Sequence, residues 1–182
     1  DNPTYHHNLA RALMIDKNRF SQAIHHLSEA IKYDPHKAEC YIDRGNILKQ
    51  QGNLQDAISN FREVLCIEPR HAIAHSKIGI TLLELGNVES AMEASENALR
   101  IDPTLTDAQV NIAVSLERKG DIDGAFENYQ LAIKMEPNHA LAHNNLGGLF
   151  EKKGASDDAL SSYTIAVEAN PKLPEAHYNL GY

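Results

Sequence analysis

Five prolines, Pro35, Pro69, Pro103, Pro137 and Pro171, stand 34 residues apart along this chain. Ala23, Ala57, Ala91, Ala125 and Ala159 keep the same step, and so do Gly52, Gly86, Gly120 and Gly154. Composition alone does not give three residue types one common period. A repeat of this length marks a stacked array of helix pairs, each too small to bury its apolar face without its neighbours. The 182 residues would otherwise suggest a single globular core; in an array the core runs as a line, because each unit packs only on the next. The expected fold class is therefore all-α, an α-solenoid of antiparallel helix pairs.

Counting back from the prolines gives units at 4–37, 38–71, 72–105, 106–139 and 140–173, with a partial sixth at 174–182. The whole chain reads as one array, and as a piece of a longer protein. In the first unit the helices are expected over Thr4–Lys17 and Phe20–Tyr33. Apolar residues recur at three- and four-residue spacing, as in Ala108, Ile112, Ala113 and Leu116, then Ile122, Ala125, Phe126, Tyr129, Ala132 and Ile133. The glycine after each first helix permits the left-handed turn that ends it. The Asp-Pro and Glu-Pro pairs close the second helix, since a residue before proline is pushed out of the α region. Gly45, Gly79, Ala113, Gly147 and Gly181 share the eighth position of their units. Opposite them lie the alanines of the second helices, so two backbones can come close, and Phe61, Tyr129 and Tyr163 fill the remaining space.

These residues carry a family resemblance. In the fifth unit His143, Leu146, Gly147, Phe150, Ala159, Tyr163, Ala166 and Pro171 follow the pattern of the tetratricopeptide repeat, and the match extends over essentially the whole chain. The resemblance implies a right-handed superhelix whose concave groove is lined by the first helix of each pair. Some units depart from the pattern. Ala10 and Arg11 stand where Leu-Gly is usual and Asn18 replaces the turn glycine, which suits a terminal, partly exposed unit. Ser95 replaces the aromatic of the third unit among Ala91, Ala94 and Ala98. A thin layer is expected there, either a flexible point or close packing by small residues.

The groove positions supply the candidate site. Asn111, Asn145 and Asn179, in line with Lys77, form an asparagine ladder, with Asn46 and Asn144 nearby. An amide offers both donors and an acceptor, so it can pair with an extended peptide backbone of any sequence. The ladder resembles that in the repeat arm of the O-linked N-acetylglucosamine transferase. Ile42, Ile73, Ile80, Val110, Val114 and Leu141 add apolar side chains to the same face, and an apolar patch rimmed by polar residues marks a partner site. The family's clamp for chaperone tails needs lysines and an arginine that no frame of these units supplies.

Other functions are disfavoured. The net charge of −8, with 17 basic against 25 acidic residues, lacks the clustered cations that phosphates need. No nucleic-acid partner is expected, and a basic or neutral polypeptide suits better. No apolar run reaches the length of a membrane span, so membrane insertion is not expected. Cys40 and Cys66 read as reduced thiols packed like small hydrophobes, which with no signal peptide makes cytoplasm the default. Of ten histidines, the pairs His71/His75 and His139/His143 have a spacing that could hold zinc, but a site needs three or four ligands. Packing is the expected role of His75, His143 and His177. No metal, no cofactor and no catalytic residues are expected, because no phosphate loop, nucleophile elbow or metalloprotease motif occurs. The expected function is a protein–protein interaction module. The alternatives are a substrate-recruiting arm of a larger enzyme such as a glycosyltransferase, or an architectural subunit, with self-association through the incomplete last unit.

Overall fold

The computed structural model describes residues 2–181. Asp1 and Tyr182, the bounds of the sequence reading at either terminus, lie outside the described residues. Among the described residues the chain is all-helical. The helices are α1 (Pro3–Leu13), α2 (Phe20–Tyr33), α3 (Ala38–Gln50), α4 (Leu54–Ile67), α5 (Ala72–Glu84) and α6 (Val88–Ile101). They continue as α7 (Thr106–Arg118), α8 (Ile122–Met135), α9 (Ala140–Lys152), α10 (Ser156–Ala169) and α11 (Pro174–Leu180). The first helices of units two to six begin at the residues that the proline period marks. The first unit differs: α1 stops at Leu13, and a short 3₁₀ helix, Lys17–Arg19, follows. With asparagine at the turn position, the chain instead folds over the Asp16 carboxylate, which accepts from the Asn18 N–H at 2.9 Å.

The turns have simple local causes. Gly154 adopts φ +76°, the left-handed region that side chains resist. That conformation lets the Ala155 N–H reach back to the Phe150 carbonyl at 2.9 Å and close the end of α9. At the other turn, the residue before proline does more than stop the helix. Asp34, Asp102 and Asn170 each accept, through Oδ1, from the backbone N–H two residues on. His143 and His177 each direct Nε2 to the carbonyl of the proline six residues earlier, both at 2.9 Å. These two histidines therefore tie down the turn, as well as packing where an aromatic is usual.

By internal packing the chain divides into two compact units, one ending at Asn87 and one beginning at Val88, so the boundary falls within the third repeat. In the first unit, successive helices from α1 to α5 are neighbours. Its core holds Ala10, Leu13, Phe20, Ala23, Leu27, Ala30, Cys40 and Ile47, with a second cluster of Ala38, Tyr41, Val64 and Ala74. Burial pushes the Cys40 thiol up to about 11, so it stays a neutral thiol. Cys66 is exposed, which corrects the expectation that both thiols are packed inside. Arg44 stands where the repeat usually has leucine. It lies against the Tyr41 ring and donates to Asn60 Oδ1 at 2.6 Å and Ser28 Oγ at 3.3 Å, linking α2, α3 and α4.

In the second unit, successive helices from α6 to α11 are neighbours, and α7, α9 and α11 also touch one another in turn. The core runs through Val110, Ala113, Ala125, Tyr129, Ala132, Ala142, Leu146 and Leu149. Ser95 is fully buried and donates to the Ala91 carbonyl at 2.8 Å. A β-carbon on Gly147 would stand 2.6 Å from Tyr163 Cε1, and one on Gly45 in the first unit 2.5 Å from Phe61 Cε1. The close approach of glycine to the aromatic is thus as the pattern implies. Gly181 differs: it caps α11 at φ +86° rather than lying inside a helix.

Candidate functional site

The first-helix face of the second unit carries most of the candidate residues, and the structure sorts them by depth. Asn179 is exposed and Asn145 half-buried, while Asn144 is 8% exposed. Asn111 and Val110 are buried, at 3% and 5%. These last two are corrections to an open groove lined by them. Val110 belongs to the core with Ala142 and Leu146, because α7 and α9 touch and cover the flank between them. Val114 is half-buried and Leu141 exposed.

The asparagines form a connected chain rather than separate rungs. Asn179 Nδ2 donates to Asn144 Oδ1 at 3.0 Å, and Asn144 Nδ2 donates to Asn145 Oδ1 at 3.2 Å. Asn145 hydrogen-bonds the Tyr129 hydroxyl, which donates to Glu117 Oε2 at 3.1 Å. Lys152 closes the chain on Glu117 Oε1 at 2.5 Å. Burial, then the Glu117 charge, pushes the Tyr129 phenol far above its usual range, so it remains a donor at any physiological pH. The same pairing recurs one repeat on. Tyr163 donates to Glu151 Oε2 at 2.9 Å, and burial with that carboxylate raises its phenol to about 12.

Two open clefts flank this chain. One, of about 260 Å³, is lined by Val114, Glu117, Arg118, Tyr129, Asn145 and Lys152. The other, of about 430 Å³, is lined by Asn144, Pro174, Glu175, Tyr178 and Asn179. Neighbouring residues Asn144 and Asn145 thus serve different clefts. Tyr129, Glu117 and Lys152 were not among the expected site residues. The signal was present: glutamate at position 12 of a unit goes with tyrosine at position 24 in units four and five, where unit two has Lys49 and Phe61.

In the first unit, Ile42 and Ile73 share a cleft of about 300 Å³ with His7, Arg11, Glu39, Asp43 and His71. Ile73 is 48% exposed, and Ile42 half-buried against the core. His7 Nε2 lies 2.8 Å from Asp43 Oδ2 at the rim. Asn46, Lys77 and Ile80 are half-buried and line neither this cleft nor those above.

The histidine pairs have other work. His71 and His139 accept, through Nδ1, from the N–H groups of Ala74 and Ala142 at the starts of α5 and α9. His139 Nε2 also lies 3.1 Å from Asp107 Oδ1. Among the described residues, no group of three or more His, Cys, Asp or Glu could hold a metal ion. The hydrogen bond to Asp107 raises the His139 pKa above its ordinary value, against the opposing effect of burial. Its contribution to stability is present below the ordinary histidine range and is lost as pH rises through the raised value. Because Asp107 is largely exposed, the stabilising effect is small and salt-screened. Asp107→Asn should shift the His139 titration to lower pH, followed by NMR of its ring protons. An unchanged midpoint would remove Asp107 as the cause.

Among the described residues no helix is long and apolar enough to cross a membrane. Models of the tetratricopeptide repeat match residues 13–52, 48–116 and 110–174, which together run from 13 to 174. No curated protein matches the chain by sequence. Solved structures share the fold. TTC0263, a thermophilic tetratricopeptide-repeat protein of Thermus thermophilus, is 19% identical, with a TM-score of 0.82 over 98% of this chain and 96% of that one. MamA of Desulfovibrio magneticus RS-1 is 20% identical, with a TM-score of 0.74 over 96% and 98%. YrrB, described as having an unusual peptide-binding site, is 21% identical, with a TM-score of 0.63 over 95% and 89%.

Proposed function

We propose that this chain, which belongs to the tetratricopeptide-repeat family, is a non-catalytic protein-interaction module that holds an extended or helical segment of a partner along its first helices. The observation that carries this is the linked amide chain from Asn179 to Asn145, with an open cleft on either side. Each linked amide keeps N–H groups and oxygen lone pairs beyond those used in the chain, and these suit a peptide backbone. Exposed Leu141, three and four residues before Asn144 and Asn145 on α9, offers apolar contact beside those polar groups. The peptide-binding site ascribed to YrrB supports the same use of the fold.

Charge bears on the partner. Acids and bases balance up to Asn87, so the net charge of −8 falls on residues 88–182. A basic segment therefore suits the second unit, with an association rate that falls as salt rises.

Selection from a displayed random-peptide library tests the reading. Selected peptides should bind the double variant Leu141→Glu, Asn145→Ala at least about tenfold more weakly than the native chain, a loss of about 1.4 kcal/mol. Leu141 is exposed and Asn145 half-buried, and circular dichroism should show the fold intact. Failure to select any peptide, or equal affinity for the variant, sinks the groove reading and favours an architectural role.

A further inference from the structure

The N-terminal helix pair holds a histidine cluster on which the peptide reading makes no demand. His6 on α1 and His26 on α2 bring their Nδ1 atoms to 3.0 Å. The His6 ring stacks on Tyr33, with centroids 5.9 Å apart and planes at 25°, and meets the edge of Tyr5 at 5.6 Å. Both histidines are half-buried, while His25, whose ring centroid lies 5.4 Å from that of His26, is exposed. The ring that lends the pair its orientation is thus packed in place, not free in solvent.

We propose that His6 and His26 form a two-imidazole site for a divalent late transition-metal ion such as Zn²⁺ or Ni²⁺. Imidazole nitrogen is the donor such ions favour. Two nitrogens each about 2.0 Å from one ion stand about 2.8 Å apart at a right angle and about 3.3 Å apart at a tetrahedral one. The observed 3.0 Å lies between. In the metal-free pair one Nδ1 carries a proton and the other accepts it. The ion takes the place of that shared proton, and the ring that held it carries its proton on Nε2 instead, so no net proton is released. No third protein ligand converges here among the described residues, so water completes the shell and the ion exchanges readily. Spacing along the sequence does not pair His6 with His26, because the two are twenty residues apart, on different helices.

Binding to two helices of the folded chain stabilises it against the unfolded one. The native protein, stripped of metal, should gain roughly 3 °C in Tm with Zn²⁺ or Ni²⁺ chloride at about ten times the Kd. Isothermal titration should give one ion per chain. His6→Gln and His26→Gln should each abolish the Tm gain, and His25→Gln should keep it. In the native chain, NMR should show the metal perturbing the ring resonances of both His6 and His26, a readout that does not depend on the variants folding. No Tm gain, or a gain that survives His26→Gln, or metal shifts confined to other histidines, overturns the site and leaves a hydrogen-bonded pair only.

Discussion

Tyr129→Ala is expected to cost the second unit about 3–5 kcal/mol of folding stability, the range for truncating a buried aromatic. The ring is fully buried among Val110, Ala113, Leu146 and Leu149, so its removal leaves a cavity that close-packed helices fill poorly. It also leaves Glu117 without the hydroxyl donor it holds at 3.1 Å and Asn145 without its partner. Tyr129→Phe separates the two effects. It keeps the packing and removes only the hydroxyl's two hydrogen bonds, to Glu117 and Asn145, for a loss of about 1–3 kcal/mol. Chemical denaturation followed by circular dichroism measures both. If alanine costs no more than phenylalanine, the ring is not what holds α7, α8 and α9 together. If the polar chain orients Asn145, phenylalanine should also weaken any peptide bound beside it, out of proportion to its effect on stability.

Gly147→Ala and Gly148→Ala should have opposite signs, although the two residues are adjacent on α9. A β-carbon on Gly147 would meet the Tyr163 ring at 2.6 and 2.8 Å. That ring is 2% exposed and cannot swing away, so the overpacking should cost about 1–3 kcal/mol. On Gly148 the nearest atom is the Tyr163 hydroxyl at 3.8 Å, ordinary contact. Alanine there should stabilise the helix by about 0.5–1 kcal/mol through reduced backbone entropy. Equal effects of the two substitutions in thermal or chemical denaturation would refute the close approach of α9 and α10 at Gly147.

The candidate site was legible in its residue types and not in its connections. The 34-residue frame placed Asn144, Asn145 and Asn179 on the first helices, and the structure has them together. The frame also put Val110 and Asn111 in an open groove, where the structure buries both. A position in a repeat says which side of its own helix a residue occupies. It does not say how far the next first helix leans over that side, and the contact between α7 and α9 covers it. The hydroxyl of Tyr129 shows the same limit: the pattern read it as an aromatic filler, and only the approach of Glu117 and Asn145 makes it part of a polar chain.

By itself the sequence determined the helix pairs and, outside the first unit, the starts of their first helices and the turns between them, because each depends on residues within a few positions of one another. A left-handed glycine such as Gly154, an aspartate or asparagine before proline and a three-to-four apolar spacing act locally, whatever surrounds them. Tertiary structure decided everything that joins residues far apart in the chain: which groove residues are buried, the amide chain from Asn179 to Lys152, the burial of Cys40 but not Cys66, and the meeting of His6 with His26. Hydrogen bonds and desolvation depend on distances of a few ångströms between helices, and a periodic sequence fixes the order of the helices but not those distances.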